Sequence, residues 1–227
     1  MRCKIRPLQY EDICDTVEVE KAAWSPPWPQ KYVFGYEHIK SQIDTFPEGI
    51  LGAFVDNGIV GFVTTEIIDY NLSVPIPTWD DATDCGFIRK THKDKGNVLY
   101  GVNLSVHPKY ARTRIAEQLL YAVGRIAVCR NIQYIVLGSR IPRYHKYSDT
   151  LSAEEYVFSS RPNSGKPLDP ELYLYLKEGL KVIKVLPNYI EDPESLNYGV
   201  ILIWKNPFYV FTRYLPFLAR IFSLFIR

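Results

Sequence analysis

The run LYGVNLSVHPKYARTRIAEQLL, residues 99–120, holds the pattern from which the fold is read. Its first part continues from Val98 as a strand to Val106. His107-Pro108 closes that strand, because proline carries no amide hydrogen and biases its predecessor toward extended backbone. Beyond the turn, Ile115, Leu119, Ala122, Ile126 and Ala127 recur at three- and four-residue intervals, which predicts a helix over 114–130. The first amides of such a helix have no intrahelical partner and can hold a pyrophosphate-like anion. Arg112 and Arg114 add positive charge there, and the small Ala116 lets backbone approach a ligand.

Upstream, residues 4–7 read as a short strand, and 12–24 as a helix with Ile13, Val17 and Ala23 on one face. Trp24-Ser25-Pro26-Pro27-Trp28-Pro29 ends it, and a second helix is predicted over 36–44. Two β-branched and aromatic runs flank Asp56-Asn57-Gly58, a hairpin in which the Asn-Gly step supplies the positive φ angles of a tight turn. Residues 69–97, with Pro75, Pro77 and Trp79, form a long irregular loop. Downstream come a strand at 134–138, helices at 153–158 and 172–178, the second ended by Gly179, and strands at 181–186 and 198–204.

The chain has 227 residues, 47% of them hydrophobic, and a net charge of +2, the profile of a folded α/β protein without a nucleic-acid footprint. Cys3, Cys14, Cys85 and Cys129 form no CxxC pair and no zinc-type spacing with histidine, so reduced thiols and no metal are expected. The charged start MRCKIRPLQYEDICD lacks the apolar core of a signal peptide, and a cytoplasmic location is expected.

The strand ending Val106-His107-Pro108, the loop 111–116 and Leu119-Leu120 resemble the GNAT acetyltransferase superfamily, in which a Gln/Arg-x-x-Gly-x-Gly/Ala loop opens a long helix. Ala111 replaces the usual Gln or Arg, and Arg114 the central glycine, so the Arg114 side chain must point outward or over the phosphates. The resemblance implies a mixed sheet of about seven strands, flanked by helices and splayed between the fourth and fifth. It implies that Arg112, Thr113, Arg114, Ile115 and Ala116 hold the pyrophosphate of coenzyme A. The pantetheine arm would then lie in the splay against backbone at Leu104 and Val106.

A narrower likeness rests on residues 78–84, 139–147, 186–189 and 198–206, which are similar to a GNAT branch fused to carbon-nitrogen hydrolases. They are similar also to the loading domain of curacin-type polyketide synthases, which decarboxylates malonyl-CoA and passes acetyl to an acyl carrier protein. By that likeness His145 stabilises an enolate or protonates its carbon. Arg143 is a candidate partner for a substrate carboxylate or a solvated loop arginine, and Tyr144 and Tyr147 are alternative acids for the leaving thiolate. Packing in an aromatic loop explains His145, Tyr144 and Tyr147 equally simply. Trp28 and Trp79 border the acceptor mouth as an acyl pocket or as core, and Glu66 is a candidate base for an amine.

Three functions follow from these readings. The first is transfer of acetyl or another short acyl group from acetyl-CoA or a related thioester to an acceptor. The second is malonyl-CoA decarboxylation with S-acyl transfer to an acyl carrier protein, and the third is non-catalytic CoA binding. Residues 1–206 make the catalytic domain. The C-terminal extension, 207–227, carries Arg213, Arg220 and Arg227 seven residues apart among aromatics. It suits a peripheral membrane contact, a partner's groove, or packing on its own domain.

Overall fold

The computed structural model describes residues 3–74 and 78–226; Pro75, Pro77 and Arg227, singled out above, lie outside them. Strand β1 (Lys4–Pro7) leads into helix α1 (Ile13–Ala23), whose entry is fixed by Asp12: its carboxylate takes two bonds from the Arg6 guanidinium, at 2.6 and 2.8 Å. Helix α2 (Tyr36–Thr45) follows, then the hairpin β2 (Ile50–Val55) and β3 (Gly58–Ile68). The left-handed residues of the hairpin turn are Asp56 and Asn57, with φ of 48° and 66°, so the Asn-Gly expectation is corrected by one position: Gly58 is the first residue of β3.

Short helix α3 (Trp79–Thr83), capped by the Thr78 hydroxyl, interrupts the long loop. Strand β4 (Val98–Val106) and helix α4 (Ile115–Cys129) match the expected pair. Next come β5 (Tyr134–Arg140), two residues longer than expected, and α5 (Ala153–Phe158) with its Ser152/Glu155 capping box. Helix α6 (Pro170–Lys177) starts on Asp169, which accepts from two first-turn amides. Strands β6 (Lys181–Leu186) and β7 (Gly199–Lys205) complete the sheet, followed by α7 (Tyr209–Tyr214) and α8 (Ala219–Ser223).

The seven strands lie in the order β1-β2-β3-β4-β5-β7-β6, and only β4 and β5 pair in parallel. Alternation along the strands sends Thr64 toward α2, where it donates to Gln42, and Gly61 toward Ile115 of α4, so the two helices cover opposite faces. One apolar core joins α1, α2 and α4 to the sheet; a second, around β5 to β7, holds Tyr144, Tyr156 and Leu172.

The splay has a local cause. β4 stays paired with β3 to Val106, yet its register to β3 skips Val102, which bulges out of the ladder between Gly101 and Asn103. Pairing of β4 with β5 ends at Gly101 and Leu137, immediately before the bulge. An extra residue bends and twists a strand, and here it turns β4 away from its neighbour. Trp79 donates its indole N–H to the Val102 carbonyl at 3.1 Å.

Candidate functional site

A cavity of about 640 Å³ occupies the fork between β4 and β5. At its α1 end, Glu20 is almost completely buried. One of its carboxylate oxygens accepts from Ser105 Oγ at 2.6 Å and Asn103 Nδ2 at 3.1 Å; the other accepts from the Phe34 amide at 3.3 Å. Trp24 donates its Nε1–H to Ser105 Oγ at 2.6 Å. Burial raises the Glu20 carboxyl to about 7 against the opposing pull of these donors. Sequence reading passed over Glu20, although the signal was there: it interrupts the stripe Ile13, Val17, Glu20, Trp24, and a carboxylate on an apolar stripe is buried by the helix that carries it.

Aromatic rings wall this end, with Trp24 and Trp28 4.7 Å apart and Tyr32 against Trp79 at 5.6 Å. Trp28 and Trp79 both border the cavity. The buried Trp28 indole N–H has no protein acceptor among the described residues, which leaves it available to a ligand oxygen. Arg140, at the end of β5, lies under Trp28 at 4.6 Å. Its guanidinium is already engaged by Asp192 at 2.9 and 3.1 Å and by Glu194 at 2.7 Å, with Glu171 at 3.8 Å. Burial also raises the Glu171 carboxyl, with Arg140 opposing; its side chain is 32% exposed, so water in the cavity screens part of that shift.

The vertex of the fork is built by glycine. A Cβ on Gly138 would lie 2.0 Å from the Tyr189 hydroxyl, and one on Gly199 2.1 Å from the Tyr189 ring. Tyr189 fills that space and shares a buried hydroxyl contact with Tyr100.

At the other end, Leu104 and Val106 line the cavity together with Ala111 and Ala116. Arg114 precedes α4 with φ −90° and ψ 22°, ordinary backbone that needs no glycine, and its side chain caps nothing. Arg112 and Arg114 are exposed beside the opening rather than in the lining. Thr113 turns its hydroxyl onto the Tyr110 carbonyl at 2.7 Å, and Ile115 is wholly buried, leaving only backbone to a ligand.

Of residues 139–147, Ser139 and Arg140 line the cavity, whereas Arg143, Tyr144, His145 and Tyr147 are not brought to it. His145 is exposed, its Nδ1 2.9 Å from the Glu194 carbonyl. Tyr144 and Tyr147 pack on Tyr156, at 5.5 and 5.2 Å, and the Arg143 side chain is exposed. Glu66 lies on the face covered by α2, buried, with both carboxylate oxygens lacking a hydrogen-bond partner among the described residues. Among the described residues no group of three or more His, Cys, Asp or Glu is placed to hold a metal ion.

Residues 13–146 match the model of the acetyltransferase (GNAT) family. The chain is 38% identical over 205 residues to the Bacillus subtilis uncharacterized N-acetyltransferase YkwB, covering 90% of this chain and 89% of that protein. Its fold is similar to the loading GNATL domain of CurA from Lyngbya majuscula, with a TM-score of 0.78 at 22% identity over 91% of this chain and 98% of that one. It is also similar to a GNAT-like decarboxylase, GphF, solved with isobutyryl-CoA, with a TM-score of 0.75 at 23% identity over 89% and 99%. A sheet forked between β4 and β5, a helix opening beside the fork and these matches together make the chain a member of the GNAT acetyltransferase family.

Proposed function

We propose that this protein transfers a short acyl group from coenzyme A to an amine, and that Glu20 is the base that receives the amine's proton. The observation that carries this reading is the Glu20 carboxyl: buried at the α1 end of the fork, ordered by Ser105, Asn103 and the Phe34 amide, and raised to about 7. A base with that affinity is half ionised near neutral pH and can accept a proton there. As the amine nitrogen bonds to the thioester carbonyl carbon its proton passes to Glu20, and the carbon–sulfur bond breaks with its electron pair leaving on sulfur as the coenzyme A thiolate.

The α4 end fits the donor. The uncapped first turn of α4 offers amides at Ile115 and Ala116 for the pyrophosphate, with Arg112 and Arg114 outside as a diffuse positive field. The β4 edge beyond Gly101, no longer paired with β5, offers backbone at Leu104 and Val106 to an extended pantetheine amide. The named ligand of GphF, isobutyryl-CoA, supports a short acyl donor.

Malonyl decarboxylation with loading of an acyl carrier protein is the competing reading. Among the described residues the guanidinium in the lining, Arg140, is enclosed by Asp192, Glu194 and Glu171 and is not free to meet a malonyl carboxylate. The choice is tested by incubating the protein with acetyl-CoA and a panel of primary amines, and separately with malonyl-CoA. Amine-dependent thiol release that Glu20→Gln suppresses while CoA binding persists is the expected result. Carbon dioxide release from malonyl-CoA, lost in His145→Ala and retained in Glu20→Gln, would overturn it. Absence of CoA binding would remove both readings.

A further inference from the structure

Segment 207–226 folds back on the domain with its surfaces inverted. Its small and polar residues face inward: Thr212, Ala219 and Ser223 are buried, and a Cβ on Gly124 of α4 would lie 2.8 Å from Ile226. Thr212 donates its hydroxyl to Asn131 at 2.7 Å, and Asn206 anchors the start through the Ile132 carbonyl at 3.0 Å. Most of its large apolar residues face outward, while Phe208, Tyr209, Leu218 and Phe222 are half-buried and Ile226 is buried. Eight of the fifteen exposed large apolar side chains among the described residues belong to this segment, with Tyr214 at 75% and Phe217 at 74% exposure. A segment that folds only to cover its own domain puts those side chains inside. This one holds them out.

The chemistry of the outer face selects its occupant. Residues 207–227 contain no Asp or Glu, and the exposed Arg213 and Arg220 have no carboxylate partner among the described residues. With the Thr212 and Ser223 hydroxyls committed inward, the exposed side-chain polar groups are few, the guanidiniums and the Tyr214 hydroxyl chief among them. That is sparse for a protein interface, which carries about one hydrogen bond per 100–200 Å². A second copy docked face to face through this segment would bring no Asp or Glu carboxylate to these arginines. Aromatic and aliphatic side chains between arginines fit the boundary of an anionic bilayer, where rings enter the headgroup layer and guanidiniums meet phosphate. No helix among the described residues is long and apolar enough to cross a membrane, so the contact is peripheral.

We propose that the outward face of 207–226, with Phe211, Tyr214, Phe217, Ile221 and Leu224 as the inserted set and Arg213 and Arg220 as the charge contacts, docks this protein on an anionic lipid surface.

The test is co-sedimentation of the full chain with vesicles of phosphatidylcholine alone and of phosphatidylcholine mixed with phosphatidylglycerol. Binding to the mixed vesicles, weakened by salt and lowered about fivefold for each arginine removed in Arg213→Ala and Arg220→Ala, is the expected result. Phe217→Asp, at an exposed site, should release the protein from the same vesicles with circular dichroism unchanged. Three outcomes overturn the proposal: no sedimentation with either composition, equal binding by the wild type and both classes of variant, or a self-association that Phe217→Asp dissolves while vesicles do not compete with it.

Discussion

At the α1 end of the fork the polar groups around the cavity are side chains already bound to one another: Glu20 to Ser105 and Asn103, Arg140 to Asp192 and Glu194. At the α4 end the useful groups are backbone, the free edge of β4 and the uncapped first turn of α4, and Arg112 and Arg114 stand outside the lining. The first end offers residues that a substitution can remove, the second peptide groups that no substitution of a side chain deletes. In the function proposed above, acceptor chemistry falls to the first end and the cofactor common to the family to the second.

The contrast can be broken by experiment. Glu20→Gln keeps the volume and removes the proton acceptor; kcat/KM for an amine should fall about a hundredfold or more, with CoA affinity unchanged by calorimetry. An equal loss in both would mean that the two ends are not separate. In the wild type, kcat/KM should rise through about pH 7 as Glu20 ionises, and that limb should vanish in the variant.

Gly138→Ala strikes the vertex where the ends meet. Its new Cβ would overlap the Tyr189 hydroxyl at 2.0 Å, and urea unfolding should show a loss of about 1–3 kcal/mol. No change would mean that Tyr189 moves freely and does not fix the fork.

Stability against pH gives a third handle. Burial raises Glu20 to about 7 and Glu66 to about 8, above the ordinary carboxyl value near 4.5 of an unfolded chain. The folded state therefore binds more protons than the unfolded state between these values. Its stability should be greatest below about pH 4.5 with respect to these two groups, and should fall as pH rises through their folded values. Glu66→Gln should flatten the upper part of that fall without touching turnover, since Glu66 lies outside the lining. The smallest effects belong to Arg112→Ala and Arg114→Ala, each weakening CoA binding by about two- to fivefold at low salt and less at high salt.

Much of this fold is legible from local pattern. The strand at Val98–Val106, its proline stop and the spacing from Ile115 to Ala127 are short-range facts, and the structure reproduces them nearly residue for residue. The Val102 bulge has a local mark in the isolated Gly101 beside it, but the register it produces is a matter of how β4 sits on β3, which no local window contains. The contacts at the α1 end are just as non-local, with Glu20 meeting Ser105 85 residues away and Arg140 meeting Asp192 across 52. An imidazole is a natural candidate for proton transfer, but side-chain direction is set by the turn that carries it, and that turn puts His145 against the Glu194 carbonyl. Glu20 carries its local signal in the apolar stripe it interrupts, but the partners that order its carboxylate, Ser105, Asn103 and the Phe34 amide, come from elsewhere in the chain.

Phe225 both lines the cavity and stands exposed at the rim of the outward face of 207–226. A wall with two tenants imposes a thermodynamic cycle: the factor by which an occupied cavity changes affinity for lipid must equal the factor by which lipid changes affinity for the cavity's occupant. The two constants can be measured in different laboratories with different probes, and they still have to agree.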